Sequence, residues 1–168
     1  MDRPYVVGID IGGQSAKIGI VDTRGTVLSQ TAIKSNDTNS HVEFIENLCS
    51  AVEKLAEKAN IPMSKIRGIG IGAPNANYYT GTIENAVNLT FGGMKVIPFA
   101  DLMSERIGLP VRLTNDANAA AVGEMTYGAA RGMKNFIMIT LGTGVGSGIV
   151  VGGYVLYGHD GFAGELGH

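Results

Sequence analysis

Short apolar runs separated by glycine-rich turns occur near both ends of the chain. Residues 5–28, YVVGIDIGGQSAKIGIVDTRGTVL, alternate apolar runs with tight turns, a pattern that predicts three successive strands. Residues 136–156, FIMITLGTGVGSGIVVGGYVL, repeat this pattern in a weaker form. The turns at 10–13 (DIGG) and 140–143 (TLGT) fall at corresponding positions. A turn that is built twice predicts two related domains that each offer a backbone loop to one ligand, for which phosphate is the best candidate.

The first segment between these copies has a helical period. Residues 36–40 are polar, and Ser40 with Glu43 forms an S-x-x-E capping box. Apolar residues then recur on one face at a spacing of about 3.6 residues, and the helix is predicted to end before Pro62. The residues of this face are Val42, Ile45, Leu48, Cys49, Val52, Leu55 and Ala59.

The following segments alternate between extended and helical patterns. Residues 66–72 (IRGIGIG) and 111–114 predict strands, whereas 98–108 and 115–130 predict helices. Residues 75–97 are polar and turn-rich with little periodicity. The resulting order predicts an α/β fold with a mixed sheet and flanking helices.

Composition and net charge indicate a globular protein and argue against general binding to nucleic acid or membranes. With 168 residues, 45% of them hydrophobic, the chain can bury a core, and its net charge of −2 gives no general attraction to nucleic acid or anionic membranes. The single cysteine, Cys49, has no internal disulfide partner and is expected in the core. The first residues, MDRP, lead into a strand rather than a signal peptide, and no apolar run approaches the ~20 residues that span a bilayer. We therefore expect a cytoplasmic protein.

The turn at 10–13 combines the residue types that bind phosphate and magnesium. Glycines after an apolar strand let backbone N–H groups approach phosphate oxygens, and Asp10 at the strand end can hold Mg²⁺ or its water shell. An ordinary hairpin turn explains the same residues, but the second copy at 142–144 (GTG) favours phosphate. Neither turn is a Walker loop, because no G-K-[ST] follows, and neither is a Rossmann fingerprint, because a strand follows the glycines.

Two further polar groups could carry chemistry. Asp116 lies at a predicted strand-to-helix junction, with Asn115 and Asn118 beside it. Its carboxylate could accept a proton from an attacking hydroxyl. Alternatively, Asn115 or Asp116 simply caps the helix, as these residue types often do. Glu165 and His168 could bind sugar hydroxyls or a metal, or could be exposed surface residues.

The polar stretch after the strand at 66–72 contains four asparagines whose amides suit hydroxyl recognition, although asparagine is common in any loop: Asn75, Asn77, Asn85 and Asn88. Tyr78, Tyr79 and Phe91 in the same stretch are expected to serve packing alone.

These motifs resemble the ROK family (repressors, open reading frames and sugar kinases), in particular its glucokinase-like members. GIDIGGQSAKIGIV at 8–21 is similar to the family's first phosphate motif, and GIGIGAP at 68–74 to its sugar-loop segment. LTNDANAAAVGE at 113–124 is similar to the catalytic segment, and LGTGVGSGIVVGGYVLYGHDGFAGELGH at 141–168 to the family signature.

The resemblance implies the actin-like (ribonuclease H-like) ATPase fold, with a first domain at 1–130 and the first strands of a truncated second domain at 131–168. The boundary would fall between Gly128 and Asn135. It implies ATP-dependent phosphorylation of a glucose-like hexose at its 6-hydroxyl, with small-molecule sugar and nucleotide as partners. The implied roles are a catalytic base at Asp116; sugar contacts at Gly72, Asn88, Asn115, Glu165 and His168; phosphate contacts at Gly12, Gly13, Thr143 and Gly144; and Asp10 near Mg²⁺.

Several features depart from the family pattern. Gln14 stands where the family usually has threonine, Asn75 replaces a common glycine, and the segment after Asn88 lacks the familiar Pro/Trp pattern. In many family members the histidine at the position of His168 also ligates a structural Zn²⁺ with three downstream cysteines, which this chain does not contain, so zinc is expected only in a full-length protein.

We expect the 168-residue chain alone to be inactive, because closure between two complete domains excludes water from the reaction. We also expect self-association through exposed apolar surface, giving a homo-oligomer. The alternatives are a non-catalytic sugar-binding module and a sugar-responsive transcription regulator. The regulator needs a preceding helix-turn-helix, whereas the first strand is predicted to begin by residue 4.

Overall fold

The computed structural model describes residues 2–142 and 144–166. Its first strands, β1 (Tyr5–Ile11), β2 (Ser15–Val21) and β3 (Val27–Lys34), form the predicted antiparallel meander. Side chains alternate along β1, so that Val7, Ile9 and Ile11 are buried while Gly8 and Asp10 are exposed. This alternation directs one face of the sheet into the core.

Helix α1 (His41–Lys58) confirms the predicted helix and its cap. The Ser40 hydroxyl accepts a hydrogen bond from the Glu43 amide at 3.3 Å. The reciprocal bond of the predicted capping box does not form directly: the Ser40 amide donates to the Thr38 hydroxyl at 3.0 Å, and this hydroxyl donates to the Glu43 carboxylate at 2.7 Å. The buried face of α1 contains Phe44, Ile45, Leu48, Cys49, Val52, Leu55 and Ala56. The prediction that Val42 belongs to this face is wrong, because Val42 in the first turn is exposed.

The segment at 75–97 contains more regular structure than its sequence predicts. After β4 (Ile66–Ala73), the chain forms a small antiparallel sheet from β5 (Ala76–Asn77), β6 (Thr82–Glu84) and β7 (Val96–Ile97). Strands of two or three residues are too short to show an alternating pattern, so the sequence could not reveal them. Helix α2 (Phe99–Ile107) follows and ends at Gly108, as predicted.

The main sheet has five strands in the order β3-β2-β1-β4-β8, where β8 is Val111–Asn115. The pairings β1–β4 and β4–β8 are parallel and the pairings of the meander are antiparallel, so the predicted mixed sheet is confirmed. Helix α3 (Asp116–Tyr127) begins directly after β8 and ends three residues before the predicted position at Ala130. None of the helices in the described ranges combines the length and apolarity needed to cross a bilayer.

The second glycine-rich copy forms a separate antiparallel sheet. Strands β9 (Phe136–Leu141), β10 (Val145–Val151) and β11 (Tyr154–Val155) lie in the order β11-β10-β9. This sheet packs against α3, because glycines on β10 allow a close approach. A Cβ at Gly148 would lie 2.7 Å from the Ala121 Cβ and 2.7 Å from the Ala117 carbonyl oxygen. The division of the chain into domains at residue 130 stays a prediction.

The core lies between the main sheet and the helices α1 and α2. Phe44, Phe91 and Phe99 form an aromatic cluster, in which the Phe44 and Phe91 rings stack with centroids 4.4 Å apart. Phe91 therefore serves packing, as predicted. Cys49 is buried and unpaired, and burial raises the pKa of its thiol to about 11, which makes it an inert core residue.

An exposed ion-pair network joins the two core-covering helices. The Arg106 guanidinium on α2 donates to Glu46 at 2.5 Å and to Glu53 at 2.9 Å, both on α1. The hydrogen bond from Arg106 lowers the pKa of Glu46 below its ordinary value of 4.5. A carboxylate with a lowered folded-state pKa contributes stability above its unfolded pKa, and loses that contribution as the pH falls through the folded value.

We therefore expect Arg106→Ala to lower the Tm at pH 7, and we expect this deficit to shrink as the pH falls below the 4.5 of unperturbed Glu46. The measurement is the Tm of the wild-type protein and of Arg106→Ala, from thermal unfolding between pH 7 and about pH 3. Arg67→Ala, at an exposed arginine of β4, is the control for a lost positive charge. A deficit of constant size across this range would contradict the assignment.

Candidate active site

Residues from three strands meet at the carboxyl end of the main sheet. The register places Asp10 beside Gly72 and Gly72 beside Thr114, with Asn115 opposite Ala73 on the next step. Parallel strands that end together form the edge where α/β proteins bind ligands. Three predicted site residues, Asp10, Gly72 and Asn115, therefore share this edge although the sequence separates them widely.

The junction between β8 and α3 presents a carboxylate to solvent. Asn115 is the N-cap of α3, and its side-chain oxygen accepts from the Ala117 amide at 2.8 Å. Asp116 is the first helical residue; its carboxylate accepts from the same amide at 2.9 Å and remains exposed. The capping interpretation is thus confirmed for Asn115, and capping leaves the Asp116 carboxylate available at the helix N-terminus.

Gly72 lets this junction lie close against β4. A Cβ at Gly72 would lie 3.2 Å from the Ala119 Cβ and 3.5 Å from the Asp116 Cα. The first of these distances is tighter than most real Cβ contacts, so a side chain there would require α3 to shift. Gly72 therefore acts on the position of Asp116 through backbone packing.

The segment after β11 returns to this edge and brings a second carboxylate. The Asn115 side-chain amide donates a hydrogen bond to Glu165, whose side chain is half-buried. Asn115, Asp116 and Glu165 are thereby brought together from two distant parts of the sequence. Such a group of an amide and two carboxylates can hold several hydroxyl groups and can accept a proton.

The first glycine turn is held by residues that sequence reasoning did not single out. The Gly12 amide donates to the Ser15 carbonyl at 2.9 Å, and the fully buried Ser35 hydroxyl donates to the Gly12 carbonyl at 2.5 Å. A Cβ at Gly13 would lie 3.0 Å from the Asn88 carbonyl oxygen, so Asn88 sits directly beside this turn. Ser35 has no motif around it, and its role becomes visible only from the fold.

Gln14 is exposed in the first glycine turn, so a glutamine side chain fits at the position where the family usually has threonine.

The loop that carries Asn88 is held by a hydrogen bond two residues further on, where the Thr90 hydroxyl donates to the Thr38 carbonyl at 2.8 Å.

The second glycine turn is closed by a backbone hydrogen bond. The Gly142 amide donates to the Gly144 carbonyl at 3.0 Å, and both glycines are accessible to solvent. The predictions for Thr143 and His168 fall outside the described residues. Within residues 2–142 and 144–166, no three His, Cys, Asp or Glu side chains group together as metal ligands. A zinc site at His168 stays a prediction.

The four asparagines after β4 have different roles in the structure. Asn75 and Asn85 adopt left-handed backbone conformations with φ of 53°, which asparagine tolerates better than most residues. This explains how Asn75 replaces a common glycine. Asn77 is buried, and its amide donates to Glu84 at 3.1 Å and to the Asp160 carbonyl at 3.0 Å. Only Asn88 is both exposed and beside a predicted site residue.

A groove of about 850 Å³ runs along the face of the main sheet that bears Asp10, Gly72 and Thr114. Its lining includes Lys17, Arg112 and neighbouring residues, but not Asp116 or Glu165. The geometry of the strand ends, rather than this groove, therefore defines the candidate site.

Comparison with known proteins identifies the family. The family model described as ROK family matches residues 6–168. The chain belongs to the ROK family. A glucokinase from Halalkalibacterium halodurans is 42% identical over 168 residues, covering 99% of this chain and 50% of the relative. A xylose repressor from Caldicellulosiruptor bescii is 30% identical over 99% of this chain and 41% of its own length.

Solved ROK structures share the fold. The crystal structure of a ROK family glucokinase from Streptomyces griseus, in complex with glucose and AMPPNP, has a TM-score of 0.83 and 35% identity, covering 98% of this chain and 50% of that protein. The predicted actin-like ATPase fold is thus confirmed. The chain spans about half the length of the curated glucokinases that it matches.

Proposed function

We propose that the full-length ROK protein transfers the γ-phosphate of ATP to the 6-hydroxyl of a glucose-like hexose. The observation that supports this most is the exposed Asp116 carboxylate at the start of α3, beside the hydrogen-bonded pair of Asn115 and Glu165. Glucokinases are among the relatives, at identities of 37% and 42%. A carboxylate, a second carboxylate and an amide at one edge suit a substrate with several hydroxyl groups.

Asp116 is proposed as the general base. Its carboxylate accepts the proton of the 6-hydroxyl as the hydroxyl oxygen attacks the γ-phosphorus and the bond to the β-phosphate oxygen breaks, so that ADP leaves. Phosphoryl transfer needs little covalent help from a protein, and positioning with charge stabilisation provides most of the rate. The N-cap of Asn115 fixes the helix turn on which Asp116 lies and therefore the direction of its side chain.

The sugar is proposed to bind through Asn115 and Glu165, with Gly72 and Asn88 at the sides of the pocket. Because the Asn115 amide already donates to Glu165, each side chain limits the rotation of the other before a sugar arrives. A preorganised pair loses less conformational entropy on binding than two mobile side chains would.

The glycine turns are proposed to hold the phosphates. Gly12, Gly13 and Gly144 lack side chains, so phosphate oxygens can come close to the backbone there. The Gly12 amide itself closes the first turn by donating to the Ser15 carbonyl. Asp10 fits a site for Mg²⁺, since this ion is commonly held by one or two carboxylates together with phosphates and water. When bound, Mg²⁺ neutralises charge on the β- and γ-phosphates.

The test is ADP release by the full-length protein with Mg-ATP against a panel of hexoses and N-acetylhexosamines. Sugar-dependent ADP release with one member of the panel is the expected result and would identify the substrate. A protein that binds a sugar in calorimetry but releases no ADP with any of them would overturn the kinase proposal.

A transcription regulator is the second candidate, because xylose repressors match almost the whole chain. Sugar binding without turnover, together with sugar-dependent binding to operator DNA, would support it. For the 168-residue chain by itself we propose no catalysis, since it spans half the length of the glucokinases. A cytoplasmic location and a homo-oligomeric state stay predictions.

A further inference from the structure

The segment that carries Glu165 is attached to the rest of the protein at its start. The Tyr79 hydroxyl donates to the Gly158 carbonyl at 2.9 Å, and the buried Asn77 amide donates to the Asp160 carbonyl at 3.0 Å. The rings of Tyr78 and Tyr157 stack with centroids 4.3 Å apart. The rings of Tyr78 and Tyr79 thus both pack on the segment that returns from the second sheet, as predicted, but Tyr79 also anchors this segment through its hydroxyl.

The same segment is attached more tightly at its end, next to Glu165. The Ser147 hydroxyl on β10 donates to the Gly164 carbonyl at 2.6 Å, and Ser147 is only 1% exposed. The Glu165 amide donates to the Phe162 carbonyl at 3.1 Å. The Gly164 carbonyl and the Glu165 amide belong to one peptide group, which is planar. Hydrogen bonds on both sides of this group therefore fix its orientation.

We propose that Ser147 is a positioning residue that orients Glu165 for sugar binding. The proposal rests on the proposed function, in which Glu165 and Asn115 hold the sugar. Rotation of the 164–165 peptide group would swing the Cα–Cβ bond of Glu165 and break its hydrogen bond with Asn115. Ser147 prevents this rotation from a neighbouring sheet, without contact with the sugar.

β10 packs closely against this segment at Gly164. A Cβ at Gly164 would overlap the Ser147 carbonyl oxygen, and it would lie 3.4 Å from the Asn118 side-chain oxygen. In Ser147→Ala the Gly164 carbonyl would lose its donor at a buried position. A buried acceptor without a partner is costly, so the peptide group is expected to rotate towards other donors or water.

The test compares steady-state kinetics of the full-length protein and its Ser147→Ala variant. We expect the KM for the sugar to rise about 3- to 10-fold, the effect of losing one hydrogen bond, while the KM for ATP and kcat change by less than about twofold. Ser64→Ala, at an exposed serine far along the sequence from the site, should change none of the three values. An unchanged sugar KM in Ser147→Ala would overturn the proposal.

A double-mutant cycle distinguishes positioning from general destabilisation. If Ser147 acts through Glu165, Ser147→Ala should raise the sugar KM no further in a Glu165→Ala background, where the side chain that Ser147 positions is absent. Additive effects in this cycle would overturn the proposal. Gly164→Ala, which displaces the same peptide group by steric overlap, should also raise the sugar KM, whereas a loss of folded protein would lower kcat and leave KM unchanged.

Failure of the proposed function would be visible in the wild-type protein, which would then release no ADP with any sugar. In that case the affinity for glucose, measured by calorimetry, replaces KM for the same variants. Weaker glucose binding by Ser147→Ala than by the wild-type protein supports the proposal. Equal affinities overturn it.

Discussion

Asp116→Asn in the full-length protein is expected to lower kcat by about 10²- to 10⁴-fold, the usual contribution of a general base. Asparagine has nearly the same shape as aspartate and can still accept from the Ala117 amide, so the first turn of α3 should be retained. What asparagine cannot do is take the proton of the attacking hydroxyl. Sugar affinity should change by less than about threefold, because the loss concerns the reacting state alone.

The measurement is kcat at saturating sugar and Mg-ATP, with sugar affinity from calorimetry. Asp101→Asn is a matched control, since Asp101 is an exposed acidic residue in the first turn of α2 and its loss tests the general effect of removing a carboxylate from a helix N-terminus. If Asp116→Asn retained more than about a tenth of the kcat, Asp116 would not be the base.

Phe44→Ala is expected to lower the free energy of unfolding by about 3–5 kcal/mol. The Phe44 side chain is fully buried, its ring stacks on Phe91, and the Phe99 ring centroid lies 6.3 Å away. Removing it leaves a cavity where α1, α2 and the loop at Phe91 meet. Since a typical domain is stable by only about 5–15 kcal/mol, this one change removes a large share.

Urea unfolding followed by far-UV circular dichroism measures this loss. Val42→Ala is the control on the same helix, because Val42 is 62% exposed, and it should change the free energy of unfolding by less than about 0.5 kcal/mol. A loss below about 1 kcal/mol in Phe44→Ala would show that the aromatic cluster can repack around the gap.

Most of the fold follows from patterns that are local in the sequence. The meander and α1 were predicted with correct positions because their apolar residues recur with periods of two and about 3.6 residues. The strands β5 to β7 were missed because they contain two or three residues each. α3 was extended too far because alanine and glycine at its end give no periodic signal for where the helix stops.

The candidate site depends on contacts between distant parts of the chain, which local patterns cannot show. Asn115 and Asp116 could be predicted from their position after a strand, but the hydrogen bond that joins Asn115 to Glu165 spans 50 residues. Ser35 and Ser147 are the clearest omissions, because a buried serine that donates to a backbone carbonyl has no sequence signature. Asn77 is one of four asparagines that the sequence offers either for hydroxyl recognition or as ordinary loop residues, and its amide donates to Glu84 and to the Asp160 carbonyl.

The close packing of α3 on the second sheet has a consequence for how the chain comes apart. The connection at 128–135 joins α3 to β9, and the sheet that contains β9 already packs on α3, through glycines of β10 and alanines of α3. Alanine and glycine have no side-chain rotamers, so this close contact cannot be loosened by a side chain that changes its conformation. A protease that cuts within 128–135 would therefore break one covalent link and still leave a single particle, with both pieces migrating together until a denaturant separates them.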